Sequence, residues 1–582
     1  MPSLPRHDPD PNLRSRTLEQ KRKEYRITHA KYDGLCMLAE LPAAERPPAE
    51  WSALLERALK DAVGSALRQD RDRGSLVGGL TARVRELRVV LSDLAGGREE
   101  LVNDVTSILL GGALATEAAS LDDYRSFFRT VPLPDWARAF PDGDHFSAKV
   151  VRGSNPESLE RVRVLDPAFP VTDAHLAEVS EGDSLRRALD EHRLYHCDYG
   201  MLADLPANEL GGLRRQVFAP RVMYAVPRGG RSLRAFAIQI GRTPGPANPI
   251  FRRSDGVAWR IAEVHASAAD TIAGALWFHH ARTHLVTEPF AVAMHRHLAP
   301  SHPLHALLAP HVLGTLYINE IGWQTVFATH GLLDWFTGTP RDAVRALSRR
   351  SVESYRLDEQ VLPDRLAARG VDDAEALPDF PWRDDVRPLW DALERWVGGY
   401  VDAYYPTDAE VAADRELQGF VAEVAAADGG AIAGLPEGGR FVTRRALRRT
   451  LTQVIYQVSA LHSSMNFPVS EEMAFVPNSP FAVYAEPPRS VAEASEALYL
   501  RTLPPLDAAQ RQFATAWLLG AARYGELGRY ADGTFVDPVV APLLARFRAD
   551  LDAADAAATV RDATRTPYPW LRSRMVAPSI NI

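Results

Sequence analysis

His279-His280-Ala281-Arg282-Thr283-His284-Leu285-Val286-Thr287-Glu288-Pro289-Phe290 is the stretch from which the rest of this chain is read. It opens a region in which eight of the 17 histidines fall between His279 and His311, a density that invites a metal reading. A second segment, Ser459-Ala460-Leu461-His462-Ser463-Ser464-Met465-Asn466-Phe467, sets His462 and Asn466 four residues apart, so an unmodified helix presents both to one point. The third element is the tail, Ser579-Ile580-Asn581-Ile582, whose final main-chain carboxylate can serve as a metal ligand. Taken singly, each has a plainer explanation. His295, His297, His302, His305 and His311 surround Pro303 and Pro310 and read as surface or hydrogen-bonded core histidines, and a terminal isoleucine reads as an apolar end.

The bulk numbers narrow the field. At 582 residues and 46% apolar content the chain can bury a large core. Its 67 basic and 75 acidic residues give a net charge of -8, which argues against a nucleic-acid partner held through phosphates. Two cysteines, Cys36 and Cys197, are too few for a disulfide framework and suit a reducing compartment. Met1 to Asn12 is rich in proline and charge, and the basic run Arg14 to Arg26 has no apolar stretch behind it, so no signal peptide is expected. No run reaches roughly 18 apolar residues, and any membrane contact is expected to be peripheral. The location expected from these features is the cytoplasm, and the state a monomer.

From Thr17 to about Ala139 the pattern reads as mostly helical, with Trp51 to Leu67 spaced at three and four residues. The division expected is a helical extension over 1–140 and a larger unit over 141–582. Val222-Met223-Tyr224-Ala225-Val226 and Arg234-Ala235-Phe236-Ala237-Ile238-Gln239-Ile240, parted by Gly229-Gly230, read as strands. After Trp259 the chain reads as helical to about Arg561, interrupted by proline-rich loops. The glycine-rich Gly429 to Gly439 lacks the Lys-Ser/Thr ending of a phosphate loop.

Together the two histidine segments and the tail resemble the metal site of the lipoxygenases, and the resemblance runs from about Arg22-Lys23-Glu24-Tyr25 to the last residue. It is carried further by Glu288 through Leu298, Asp402-Ala403-Tyr404-Tyr405, Asp414-Arg415-Glu416-Leu417-Gln418, Pro477-Asn478-Ser479-Pro480 and Pro567-Tyr568-Pro569-Trp570-Leu571. The fold implied is mainly α, a large helical catalytic domain with a few short strands, here without the β-barrel module that begins many eukaryotic members. The ligands implied are His279, His284, His462, Asn466 and the carboxylate of Ile582, around one iron. Positions five apart on an α-helix point roughly 140° away from one another. A π-bulge is therefore expected between His279 and His284, since an i to i+5 bond returns both to one face. Three imidazoles, an amide oxygen and a carboxylate suit Fe(II)/Fe(III), or manganese, better than copper(I) or an iron–sulfur cluster. Zinc hydrolysis is the rival, but there is no His-Glu-x-x-His.

The activity implied is dioxygenation: a hydrogen leaves the bis-allylic carbon of a polyunsaturated fatty acid, O2 adds, and a conjugated diene hydroperoxide results. Gly322 matches a family position where alanine usually accompanies S and glycine R oxygenation, and Val326 one that packs over the reactive methylene. Both also fit ordinary packing. The chain departs from the family at Gly274-Ala275 and at Pro468-Val469, where glutamines or a glutamate usually link the substrate cavity to the iron shell, and at His280, usually leucine or aromatic. These departures keep open a changed chemistry, such as hydroperoxide isomerisation or oxidation of another lipid or natural product, and a non-catalytic lipid-binding metalloprotein. Arg444-Arg445-Ala446-Leu447-Arg448-Arg449 reads as a solvated helix face rather than a fatty acid carboxylate site.

Overall fold

A computed structural model describes residues 2–61 except 56 and 59, 116–328 except 143 and 211, and 331–582. Two sets of elements position the site: a small twisted sheet, and a long helix that crosses the core.

The sheet runs β3 to β7 in chain order, all antiparallel. The first elements of the chain are helix α1 (Pro11–Glu24) and strands β1 (Ile27–Tyr32) and β2 (Leu35–Leu38). The sheet then contains β3 (Glu160–Arg161), β4 (Leu194–Asp198), β5 (Arg221–Ala225), β6 (Arg234–Gln239) and β7 (Ile250–Phe251). Both strands read from the sequence are present, and the continuous apolar run of β5 has a simple cause: the sheet is covered on both faces. Met223 and Ala225 face a small core with Phe169, Leu176 and Leu185, whereas Val222 and Tyr224 face the main core. Between Met223 and Tyr224 the pairing jumps from Ala237 to Ala235, so Phe236 is an extra residue, a bulge that lets Phe236 and Ala237 both pack into the small core.

The long helix comprises α2 (Val257–Ile272), a π segment Ala273–Leu285 and α3 (Val286–His297), without a break. It is buried nearly all round, as its apolar composition requires. Helix α4 (Thr315–Thr325) packs on it; α5 (Pro381–Tyr404) packs on α6 (Arg444–Tyr456), which continues through a second π segment, Gln457–Leu461, into α7 (His462–Asn466), and these last two meet the first π segment. The chain closes with α8 (Val540–Asp562) and an extended tail. Among the described residues no helix is long and apolar enough to cross a membrane. Cys36 and Cys197 are free thiols, both buried.

The N-terminal reading needs a correction. The segment taken as helical begins with α1 but then forms the hairpin β1–β2. Asp33-Gly34 stands at its tip with φ +47° and +99°, the left-handed pair that a tight two-residue hairpin turn demands. The Asp-Gly turn signal decides for a hairpin. The described residues from 49 to 61 are helical, as the spacing from Trp51 predicts, and 62–115 lie outside the described residues.

The start of the chain is part of the core. Leu4, Tyr25, Tyr32, Met37 and Leu38 are each at most 5% exposed within the main apolar cluster. Arg14 is buried and bonds Glu416 and Asp8. At about 1.5–3 kcal/mol per large buried side chain, those five contribute an amount comparable to the whole stability of a typical domain, about 5–15 kcal/mol. We propose that residues 1–140 are an extension built onto 141–582 rather than a separable unit. Expressed alone, 141–582 is expected not to fold, read by circular dichroism and thermal unfolding; a cooperative transition at the full-length temperature would overturn this.

Candidate metal centre

Three imidazole nitrogens meet in the middle of the long helix. The π segment brings His279 and His284 onto one face, and their Nε2 atoms are 3.3 Å apart. His462 Nε2, from α7, lies 3.2 Å from His284 Nε2. These three form a group whose ligand atoms all lie within 4.8 Å of one another. Two nitrogens about 2.1 Å from a shared metal at 90–110° stand about 3.0–3.4 Å apart, so the spacing is that of adjacent ligands. The distortion is larger than a single bulge: the π register spans Ala273–Leu285, and the Val286 amide still bonds the Ala281 carbonyl five residues back. Pro289, four residues beyond Leu285, has no N–H to close an α-helical bond to the Leu285 carbonyl, which falls where the π segment ends.

Burial keeps these histidines neutral. It pushes His284 down to about 4. Burial first, then the neighbouring histidines, hold His279 and His462 well below the usual range. A cluster of uncharged imidazoles presenting lone pairs is what a metal requires. The tautomer of His284 is fixed by its surroundings: Nδ1 donates to Asn319 Oδ1 at 2.9 Å, because the Asn319 amide nitrogen is committed to Glu288 Oε2 (2.8 Å) and to the His284 carbonyl (3.2 Å). Nε2 is therefore the unprotonated nitrogen. Glu288 in turn accepts the Leu38 amide at 2.7 Å, so the hairpin is wired to the site, and burial pushes this carboxyl up to about 7. His462 Nδ1, by contrast, has no hydrogen-bond partner.

Asn466 lies one turn beyond His462 on α7 and is buried; its Nδ2 donates to the Leu519 carbonyl at 2.9 Å, which leaves the amide oxygen to face elsewhere. Between these two residues the helix is α-helical, as four-residue spacing requires, although the preceding turn is π.

The tail is threaded into the core by a bond at nearly every step. The Ala577 amide donates to Ser463 Oγ (3.0 Å), His311 Nδ1 to the Pro578 carbonyl (2.7 Å), and Ser579 Oγ to the Leu313 carbonyl (2.7 Å). Thr315 Oγ1 donates to the Ile580 carbonyl (3.0 Å) and Trp51 Nε1 to the Asn581 carbonyl (2.5 Å). Gly314 adopts φ +81°, and a Cβ there would stand 3.3 Å from Asn581 Cβ. Ile582, 4% exposed, packs on Phe467, and its main chain lies against His462, where it partly offsets the depressed pKa.

Other expected residues are placed as follows. Gly322 and Val326 sit on α4 and its C-cap, joined by the Val326 amide to the Gly322 carbonyl at 2.8 Å; a Cβ at Gly322 would meet nothing within 4 Å. His280 turns away from the centre, stacking on Phe327 with its Nδ1 3.3 Å from Ser348 Oγ. Ala275 and Val469 pack against the main apolar core. His302 pairs with Asp414 at 3.0 Å, His297 with Glu423, and His295 stacks on Tyr25. Arg444, Arg448 and Arg449 pair with Asp402, Asp408 and Asp364. Asn319, Leu38 and Trp51 carried no signal in the sequence, because their partners are hundreds of residues away or on another helix.

A family model described as Lipoxygenase matches residues 139–526. The chain is 33% identical over 575 residues to the linoleate 9/13-lipoxygenase of Pseudomonas aeruginosa, covering 94% of this chain and 82% of that protein. It is 30% identical to a hydroperoxide isomerase of Mus musculus, over 79% of this chain and 66% of that one. Among solved structures, coral 8R-lipoxygenase superposes with a TM-score of 0.85 at 25% identity, over all of this chain and 83% of its own; a lipoxygenase in complex with arachidonate gives the same figures.

Replacing Asn319 with alanine frees the His284 ring and its tautomer. Metal affinity, measured by chelator competition, is expected to fall about ten- to a hundredfold; an unchanged affinity would remove Asn319 from this role.

Proposed function

Since this chain belongs to the lipoxygenase family, and so is a dioxygenase-type oxidoreductase, we propose that it inserts O2 into a polyunsaturated fatty acid bearing a cis,cis-1,4-pentadiene, with iron held by His279, His284, His462, Asn466 and the Ile582 carboxylate. The observation that carries the reading is the convergence of three neutral imidazoles, with His284 Nε2 at 3.2–3.3 Å from the Nε2 atoms of the other two, beside the buried tail. The donor set is nitrogen and oxygen without thiolate, which fits iron and also manganese.

Iron, when bound, supplies a one-electron oxidant able to take a hydrogen atom from the bis-allylic carbon. The chain's own residues do the rest. Asn319 holds the His284 ring and keeps its Nε2 free of a proton. Phe327, just past α4, stacks on His280, whose ring stands 6.0 Å from that of His284, and with Val326 they supply apolar and aromatic surface for the substrate. The open space at Gly322 leaves room for O2 at one end of the pentadiene. O2 addition there gives the conjugated diene hydroperoxide, and the absence of a Cβ favours R configuration. Substrate and O2 are the partners proposed, in a monomer, with cytoplasmic placement and at most peripheral membrane contact.

A second reading is favoured by one observation: where relatives carry polar side chains near the ligands, Ala275 and Val469 are packed among apolar residues. With the likeness to a hydroperoxide isomerase, this supports rearrangement of a lipid hydroperoxide without net O2 uptake.

Iron-analysed protein given a panel of polyunsaturated fatty acids is expected to consume O2 and form conjugated diene in equal amounts, both lost in His462→Ala. Full iron occupancy with hydroperoxide consumed and no O2 taken up would replace the first reading by the second. In Gly322→Ala, chiral chromatography of the hydroperoxide is expected to show a shift from R toward S at reduced turnover; an unaltered ratio would make Gly322 a packing residue.

A further inference from the structure

We propose that the cavity between the two histidine-bearing helices is a binding site for a small carboxylate-type oxyanion, with bicarbonate its best match. The inference stands whichever reaction the metal centre carries out.

The cavity measures about 370 Å³ counted out to its mouth. Phe278 and Arg282 of the first π segment form one wall, and Gln453, Tyr456 and Leu461 of α6 and the second π segment form the other. Its walls are thus continuous with the ligand helices, but no histidine lines it. The space open to the centre of a water-sized sphere is only about 20 Å³, enough for one or two water-sized groups and far too little for a lipid.

Two facts point to an anion. The first is unmet hydrogen bonding. Gln453 is 1% exposed; its Nε2 faces the Tyr355 hydroxyl, but its Oε1 has no partner among the described residues, and neither has the Tyr456 hydroxyl, in a residue 2% exposed. Buried polar groups without partners are rare, and two such atoms on residues that line one cavity imply an occupant. The second is charge. Arg282, Arg365 and Arg369 stand against one buried carboxylate, Glu157, and both oxygens of that carboxylate are taken, by Arg365 at 3.1 Å and Arg369 at 3.2 Å. An exposed second carboxylate, Glu160, stands near Arg369, so three cations against two anions leave a surplus of one positive charge. Glu359 lies farther out, 64% exposed, and pairs with Arg356. Arg282 donates Nε to Ser351 Oγ at 3.1 Å and lies over the Trp277 and Phe278 rings, with no carboxylate in hydrogen-bond contact. Buried charge of this kind is costly unless balanced.

A planar oxyanion answers both demands. Its oxygens accept from the Arg282 guanidinium fork, the Gln453 amide and the Tyr456 hydroxyl. Bicarbonate adds one O–H, which can donate to Gln453 Oε1; formate has no such donor.

The test is a calorimetric titration of the full-length, iron-loaded chain with sodium bicarbonate and with sodium formate, at fixed pH and with chloride balancing ionic strength. Saturable binding at one site per chain is expected, tighter for bicarbonate, and weakened at least about tenfold in Tyr456→Phe and in Gln453→Met. Tyr456→Phe removes a buried hydroxyl that lacks a partner, so without anion this variant is expected to be at least as thermally stable as the wild type. No saturation in the wild type, or equal affinity in both variants, overturns the proposal: the cavity then holds water, or the anion sits on the metal centre. A wild-type crystal grown in bicarbonate decides independently of whether the variants fold, by showing the anion or water alone between Arg282 and Tyr456.

Discussion

Two histidines five residues apart can face one point only if the helix between them is wound wider than an α-helix. The geometry of this protein follows from that constraint. A π register is a weak local preference, so it must be held from outside. Gly274 lets the Asn155 side chain close against the helix, where a Cβ would stand 2.9 Å from Asn155 Cβ. Asn155 is itself bonded to Asp270, one turn earlier, at 2.7 Å. At the far end Pro289 removes the donor that would have restored α-helical bonding to Leu285. Between these two devices the helix is buried in apolar side chains, so the distorted backbone has no water to compete for its hydrogen bonds.

The second dependence is on the tail. An extended segment has no hydrogen bonds of its own, and one buried in a helical core must find partners for every carbonyl it brings in. Here they come from His311, Thr315 and Trp51, three side chains on three separate elements. Trp51 and Leu38 both belong to the first sixty residues, so the N-terminal region reaches the site by two routes, through the tail and through Glu288. A segment that resembles an appendage by position in the chain thus braces the ligand shell from behind.

How much of this was legible in the sequence depends on the range of each interaction. The ligand pair His279 and His284, and the need for a π turn between them, follow from local spacing and a family resemblance. Strands β5 and β6 announce themselves by apolar runs around Gly229-Gly230. The hairpin at Asp33-Gly34 was also legible, but the surrounding helical pattern masked a two-residue turn signal. The extent of the π segment could not be read, because Asn155 acts on Gly274 from more than a hundred residues away. Nor could Asn319 be distinguished from any other helix asparagine: only the packing of α4 against the long helix shows that its amide joins His284 to Glu288.

What distinguishes this centre chemically is where its polarity lies. Ala275, just before the first histidine pair, and Val469, just after Asn466, both pack against the main apolar core. The polar path that remains runs backward, from His284 through Asn319 and Glu288 to the Leu38 amide. Along it the Asn319 amide and the Leu38 amide both donate to Glu288, favouring its carboxylate, while burial works against the charge and raises it to about 7. A donor-rich carboxylate behind a ligating imidazole increases the basicity of that ligand. The polar contacts of the His284 ring thus come from α4 and the N-terminal hairpin, not from Ala275 or Val469.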